Sequence, residues 1–148
     1  MTTFTRLAGG IMLTALMTFA GAAQAATFVY VSNAEDGDIG SYTLMPDGSL
    51  QPGAKVEAGK PVMPMSVSPD RRFLFAAVRS KPFTVITYAI DPRTGALSKR
   101  SSGALAESLP YIRVDKTGRF LFGASYGGNL VSVNAIGSAG GDVFVHNI

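Results

Sequence analysis

The sequence Arg72-Phe73-Leu74-Phe75 recurs 47 residues later as Arg119-Phe120-Leu121-Phe122. Flanking residues repeat with the same offset, and the pairs are Val67 with Val114, Ala77 with Ala124, Phe28 with Phe75, Val31 with Val78, Ile39 with Ile86, Gly48 with Gly95 and Leu50 with Leu97. Two further pairs, Tyr42 with Tyr88 and Pro46 with Pro92, are offset by 46 residues. A slip of one residue is typical of a turn, where insertions are tolerated. The chain is therefore built from an internal repeat.

The repeat consists of short apolar stretches separated by turn residues. The 148 residues include 17 Gly and 8 Pro, which is enough for many tight turns. We find no helical periodicity in the repeated part. A period of roughly 40 to 50 residues that contains short strands is typical of a β-propeller blade. The sequence therefore predicts an all-β fold of four-stranded antiparallel blades.

The strands of two blades are predicted directly. In the first full repeat we expect strands at residues 65–68, 72–78, 84–90 and 96–100. In the next we expect them at residues 112–115, 120–125 and 129–136, with a fourth strand near residues 142–146. The second strand of each blade is apolar on both faces, so it should lie centrally in its blade and pack against both neighbouring blades.

The first 25 residues lie outside the repeat and have the three parts of a secretory signal peptide. Arg6 is their only charge, residues 11–20 form an apolar core, and Ala23-Gln24-Ala25 is a small-residue cleavage signal. The apolar run is short for a membrane-spanning helix, which needs about 20 residues. The alternative is an uncleaved anchor. We predict a periplasmic or secreted protein that leaves the membrane after cleavage.

The mature chain begins partway through a blade. Residues 27–32 align with the second strand of the repeat, so the first blade has no inner strand before them. In a closed ring that strand would come from the other end of the chain. A ring needs at least four blades, whereas this chain holds about two and a half. We therefore expect residues 26–148 to be the N-terminal blades of an incomplete propeller.

Composition excludes several classes of function. The absence of Cys excludes disulfides, thiolate metal sites and a cysteine nucleophile. The net charge of +3 is spread along the chain, so no nucleic-acid partner is predicted. His146 is the only histidine, and no cofactor fingerprint is present, so we predict neither a metal nor a cofactor. Residues 35–38, Glu-Asp-Gly-Asp, favour a hairpin turn over a calcium loop.

An ordered set of motifs resembles a known family. It comprises Pro64-Met65-Ser66-Val67-Ser68-Pro69-Asp70-Arg71-Arg72-Phe73-Leu74-Phe75, Tyr88-Ala89-Ile90, Thr94-Gly95-Ala96-Leu97 and Gly123-Ala124-Ser125-Tyr126-Gly127-Gly128-Asn129. Together, over residues 27–136, they resemble the bacterial seven-bladed propeller lactonases, the family of the propeller-type 6-phosphogluconolactonase. The resemblance implies hydrolysis of a sugar-type lactone in a central funnel, with a lactone or sugar acid as partner. It also implies that the catalytic residues lie in later blades, beyond Ile148, so this chain alone should be inactive. The signal peptide argues against a cytoplasmic phosphogluconate substrate.

Four residues are candidates for holding the substrate. Arg79 follows a second strand and could bind a carboxylate or phosphate, but it could also be a solvated strand end. Tyr126 and Asn129 lie in a glycine-rich loop that could present ligand groups or serve only as a turn. Tyr111 precedes an inner strand and could face the funnel or pack as a core aromatic.

A non-catalytic function is the alternative. Residues 28–34, Phe-Val-Tyr-Val-Ser-Asn-Ala, resemble the Tyr-Val-Thr-Asn repeat of exported propellers used for binding. A lactonase should carry His and Arg on inner strands of later blades, whereas a binding propeller should continue this repeat. The oligomeric state is not readable from the sequence.

Overall fold

The computed structural model describes residues 26–137 and the backbone of residues 143–146. The predicted signal peptide lies outside the described residues. The described part of the chain is entirely strands and turns, as the all-β prediction requires, and it offers no helix that could cross a membrane. Its strands are β1 (Thr27–Asn33), β2 (Asp38–Leu44), β3 (Leu50–Glu57), β4 (Val62–Val67), β5 (Phe73–Val78), β6 (Thr84–Ile90), β7 (Leu97–Ala104), β8 (Tyr111–Val114), β9 (Phe120–Ser125), β10 (Leu130–Ile136) and β11 (Val143–His146).

The strands form three antiparallel sheets in which each strand pairs with the next along the chain. The second blade is β4-β5-β6-β7, and the third blade is β8-β9-β10-β11. The first blade contains β1-β2-β3, and β1 occupies the second-strand position of the repeat. The four-stranded antiparallel blade and the fourth strand near residues 142–146 are confirmed.

Two strands are longer than the sequence predicts. β4 begins at Val62 rather than residue 65, and β7 continues to Ala104 rather than residue 100. Pro64 lies inside β4, although proline cannot donate to a strand ladder. However, β4 is an edge strand of its sheet, and its pairing with β5 shifts register between Val62 and Met65. An edge position beside a bulge is where a sheet tolerates proline.

The core lies between the blades rather than within them. All six residues of β5 are buried, and alternate side chains point to opposite neighbours. Between the first and second blades lie Ile39, Val62, Leu74, Ala76, Val78, Ile86, Tyr88 and Leu97. Between the second and third lie Phe73, Phe75, Ala77, Val85, Leu105, Leu109, Ile112, Val114 and Leu121. The prediction that β5 packs against both neighbours is confirmed.

Two tyrosines join the first and second blades in opposite directions. The Tyr88 hydroxyl donates to the carbonyl oxygen of Glu57 at 2.7 Å, and the Tyr30 hydroxyl donates to that of Gly95 at 2.9 Å. Burial raises the pKa of Tyr88 to about 12 and raises the pKa of Tyr30 above its usual value. Both hydroxyls therefore stay protonated and keep donating across the interface at neutral pH.

The turns between the first two strands of the second and third blades are structural repeats. The backbone N–H of Ser68 donates to Phe73 O, and that of Asp115 donates to Phe120 O, each at 2.9 Å. Ser68 Oγ accepts the Phe73 N–H at 3.0 Å, and one carboxylate oxygen of Asp115 accepts the Phe120 N–H at 2.9 Å. The two turns therefore use a hydroxyl and a carboxylate for the same purpose.

The carboxyl group of Asp115 is unusually acidic because of these bonds. The Thr117 hydroxyl and the backbone N–H groups of Thr117, Arg119 and Phe120 donate to it and lower its pKa to about 2. Because the folded pKa lies below that of an unfolded aspartate, the stability that this group contributes is present above about pH 4. That contribution is lost as the pH falls towards 2.

We expect the amide proton resonance of Phe120 to titrate with a midpoint near pH 2, as measured by NMR. Asp115→Ser introduces the residue type that the second-blade turn has at Ser68. The serine hydroxyl should still accept the Phe120 N–H, but the Phe120 resonance should no longer titrate. The Phe73 amide, which is bonded to Ser68, is the internal control. A midpoint near pH 4 at Phe120 would show that the turn does not hold the carboxylate.

Residues 34–37 form the turn between β1 and β2, so the hairpin that the sequence favours is confirmed. Gly37 has a φ of +78°, and its N–H donates to Asn33 O at 2.8 Å. The Asp38 carboxylate accepts hydrogen bonds from Asn33 Nδ2 and Lys55 Nζ, which lower its pKa. Its oxygens therefore serve the hairpin and the neighbouring β3.

The outer face of the third blade is apolar and open among the described residues. Phe120, Phe122 and Ala124 on β9 lie opposite Ala135, Val133 and Val131 on β10. Phe122 is 40% exposed, whereas its repeat counterpart Phe75 is 1% exposed. The third blade therefore presents the same side chains that the second blade buries against its neighbour.

Candidate functional site

The four candidate residues lie at one end of the sheets, which we call the upper end. At this end β5 finishes at Val78 and β8 starts at Tyr111. Arg79 follows β5, and Tyr126 follows β9 at the repeat offset of 47 residues. Asn129 closes the same β9–β10 loop. The β5–β6 and β9–β10 loops therefore lie at the same end of their blades.

Tyr111 lines an open groove of about 560 Å³ between β4 and β8. Because β4 and β8 are the first strands of their blades, this groove lies on the side of the sheets that faces the axis of a propeller. The groove is lined by Met65, Ser66, Val67, Pro69, Tyr111, Ile112, Arg113, Val114, Asp115 and Lys116. Tyr111 is 52% exposed, so within the described residues it is not a packed core aromatic.

The two inner strands are joined across this groove. Ser66 Oγ on β4 accepts the backbone N–H of Val114 on β8 at 3.0 Å. Arg113 and Lys116 bring positive charge to the groove, and neither is bonded to another side chain in the described part of the chain. The nearby Asp115 carboxylate is bound by its own turn. The groove is therefore suited to an anionic group.

Arg79 is half-buried and held at two points. Its backbone N–H donates to Pro61 O at 3.0 Å, and its Nε–H donates to Ser108 Oγ at 3.0 Å. Its terminal amino groups make no hydrogen bond or ion pair with any described residue. The structure therefore differs from a simple solvated strand end, because part of the guanidinium is fixed while its outer edge is open.

Glu107 and Ser108 belong to this region, and sequence reasoning missed both. The Ser108 backbone N–H donates to Glu107 Oε1 at 2.7 Å, and the Ser108 hydroxyl accepts the Arg79 Nε–H. A Cβ atom on Gly128 would lie 2.5 Å from Glu107 Cγ, so the glycine permits close packing of the loop. Their position in the sequence could have indicated them, because both residues lie in the connection between two blades, just before an inner strand.

The β9–β10 loop has the conformation of a turn. Asn129 has a φ of +52°, a region that asparagine tolerates better than most residues. Ser125 Oγ accepts the N–H of Gly128 at 3.0 Å and closes the loop. Tyr126 projects from it and is 81% exposed. Asn129 thus has a conformational role, while Tyr126 is free to contact a ligand.

A second cavity, of about 410 Å³, lies at the opposite end of the second and third blades. Arg72 and Arg119 line it, and each stacks over the phenylalanine that follows it in the sequence. None of the four candidate residues lies there. Within the described ranges, no three His, Cys, Asp or Glu side chains converge as a metal site would require.

Comparison with known proteins assigns the family. Residues 22–144 match the family described as "Lactonase, 7-bladed beta-propeller". The chain belongs to this lactonase family. The described sheets correspond to the N-terminal portion of such a propeller.

Relatives of the chain include two proteins named 6-phosphogluconolactonase. The one from Cronobacter sakazakii is 42% identical over 105 residues, which cover 71% of this chain and 31% of the relative. The one from Klebsiella pneumoniae (strain ATCC 700721 / MGH 78578) is 40% identical over 108 residues, which cover 73% of this chain and 32% of the relative. The chain thus spans about a third of the length of these curated relatives.

A solved structure shows the same fold. The Pseudomonas aeruginosa protein described as a periplasmic gluconolactonase aligns with a TM-score of 0.74 at 19% identity. The alignment covers 82% of this chain and 35% of that protein. At this identity the likeness supports the arrangement of blades and says nothing about individual site residues.

Proposed function

We propose that residues 26–148 form the first blades of a complete propeller that hydrolyses a sugar-type lactone, in the manner of a 6-phosphogluconolactonase. The observation that carries this proposal is the family match over residues 22–144. The identity with proteins named 6-phosphogluconolactonase supports the substrate class. The partner is a small lactone or the sugar acid that its hydrolysis releases.

The reaction needs groups that the upper end supplies only in part. Water attacks the ring carbonyl carbon, the carbonyl oxygen becomes an oxyanion, and the ring C–O bond then breaks to release a carboxylate and a hydroxyl. A base must take the proton of the water, and donors must stabilise the oxyanion. Arg79, Tyr111 and Tyr126 offer donors that hold a substrate. The base and the oxyanion donors belong to later blades, and the chemistry requires no redox cofactor.

The experiment uses the complete propeller, either from a longer gene product or from these blades joined to the remaining blades of the Cronobacter relative. We expect hydrolysis of glucono-δ-lactone and of its 6-phosphorylated form, followed by acid release. Arg79→Ala should raise the KM for the phosphorylated lactone about tenfold or more and change the KM for the neutral lactone little. Equal, negligible effects on both substrates would show that Arg79 does not contact the anionic group of the lactone.

The alternative is a binding propeller without catalysis, suggested by residues 28–34. In the structure the Tyr30 hydroxyl binds Gly95 O, and the Asn33 amide binds the Asp38 carboxylate. The tyrosine of that motif therefore joins two blades, and the asparagine closes a hairpin, so neither residue needs a ligand to account for its presence. A complete propeller that binds a sugar acid but hydrolyses no lactone would favour the binding function.

We propose that the protein is exported and cleaved after Ala25. The order of charge, apolar core and small-residue site supports this proposal, as does the likeness to a structure described as a periplasmic gluconolactonase. Mass spectrometry of the periplasmic fraction should find a mature N-terminus at Ala26. Soluble cytoplasmic protein that retains Met1 would contradict export.

A further inference from the structure

Ser108 forms a side-chain hydrogen bond with Arg79, and the proposed reaction gives it no other role. It lies in the connection from β7 to β8, which carries the chain from the second blade to the third. Its hydroxyl accepts the Arg79 Nε–H at 3.0 Å. We infer that Ser108 is a positioning residue, which fixes the Arg79 guanidinium so that its terminal amino groups receive the anionic group of the lactone. This inference rests on the proposed function.

The connection that carries Ser108 is anchored firmly on both sides. Leu105 and Leu109 flank it and are buried between the second and third blades, with exposures of 7% and 1%. The Leu105 N–H donates to Phe83 O at 2.8 Å. A hydroxyl on so short and tethered a connection has little freedom to move, so it can hold a longer side chain in place.

Arg79 is anchored at its backbone as well as at its side chain. Its N–H donates to Pro61 O, at the entrance to β4. With the backbone and Nε both fixed, most of the rotamer freedom of a long arginine is already lost before a ligand binds. The entropic cost of binding an anion is therefore reduced.

The geometry of the guanidinium leaves its outer edge for a ligand. Arginine offers five N–H donors in a planar fork, and Ser108 uses only the one on Nε. No described carboxylate forms an ion pair with Arg79, and Glu107 Oε1 accepts the Ser108 N–H. The two terminal nitrogens can thus grip a phosphate or carboxylate with two parallel hydrogen bonds.

The test compares Ser108→Ala with the matched control Ser108→Thr in the complete propeller. Ser108→Ala should raise the KM for the phosphorylated lactone roughly three- to tenfold, with kcat nearly unchanged. Ser108→Thr keeps the hydroxyl and should stay within about twofold of the wild type. In the Arg79→Ala background, Ser108→Ala should have no further effect, because there is nothing left to position.

A binding measurement separates this inference from the proposed function. Titration with inorganic phosphate should shift the Arg79 Nε–H NMR resonance in the wild type, and Ser108→Ala should weaken phosphate binding by a similar factor. A protein that hydrolyses lactones but shows unchanged phosphate affinity and KM in Ser108→Ala would overturn the inference alone. Additive effects of the two substitutions, or an equal KM change for the neutral lactone, would also overturn it. A protein that hydrolyses no lactone would refute the proposed function, while the phosphate titration would still decide the role of Ser108.

Discussion

Phe75→Ala is expected to lower the unfolding free energy of the complete propeller by about 3–5 kcal/mol. Phe75 is 1% exposed and lies in the cluster between the second and third blades. Removing its ring deletes apolar contact with both blades and leaves a cavity that strands held in two sheets cannot easily close. Denaturant unfolding of the wild type and variant measures the difference directly.

Phe122→Ala is the matched control, because Phe122 occupies the same position one repeat later. In the complete propeller a following blade should cover its face, so this substitution should cost nearly as much as Phe75→Ala. A cost below about 1 kcal/mol would show that no blade packs there. Because both variants remove the same phenylalanine ring, comparing their unfolding free energies tests how the blades pack at the two positions.

The 148-residue chain on its own should behave differently, because among the described residues nothing covers this face of the third blade. Phe122 is 40% exposed and Val131 is 65% exposed, and they lie on one sheet face. An open apolar face and unpaired strand edges favour aggregation over cooperative folding. Phe122→Lys should raise the soluble fraction. A monodisperse wild-type monomer with a sharp thermal transition would contradict this expectation.

The repeat predicted the architecture well because equivalent side chains of each repeat pack between neighbouring blades. Phe73 and Phe75 face the third blade, while Leu74 faces the first, so the apolar run of β5 has a direct structural cause. The strands of the second and third blades therefore lie near their predicted positions. What the repeat could not supply was the length of an edge strand such as β4, where pairing tolerates Pro64.

The repeat also suggested one correspondence that the structure does not keep. Ile39 and Ile86 match at the offset of 47 residues, yet Ile39 pairs with Ser32 and Ile86 pairs with Ala76. The two isoleucines belong to one cluster between the first and second blades, where each points towards the other blade. The β1–β2 hairpin has a different register from the β5–β6 hairpin, and a shift by an odd number of residues exchanges the faces of a strand.

The candidate site was less predictable because it depends on contacts between blades. Arg79 stood out in the sequence as a charge after an apolar strand, but its partner Ser108 lies 29 residues away. A lone serine in a connecting loop carries no pattern of its own. Only the packing of Leu105 and Leu109 between the blades brings that loop to Arg79.

The largest effect on activity should come from the absence of later blades. We expect the 148-residue chain to hydrolyse glucono-δ-lactone and its phosphorylated form no faster than buffer, while the complete propeller turns them over. Binding groups alone change KM, whereas loss of the groups that act in the transition state removes most of the rate. Acid release measured at equal molar concentration of the two proteins tests this expectation.

The inactivity expected of the 148-residue chain depends on where the general base lies. Among the described residues, Glu107 is the carboxylate at the upper end of the second and third blades, and its Oε1 already accepts the Ser108 N–H. A general base typically contributes a factor of 10² to 10⁴ to the rate. Glu107→Gln in the complete propeller should therefore leave kcat within about tenfold of the wild type if the base belongs to a later blade. A loss of a hundredfold or more, or turnover by the 148-residue chain itself, would place the catalytic machinery in these first blades instead.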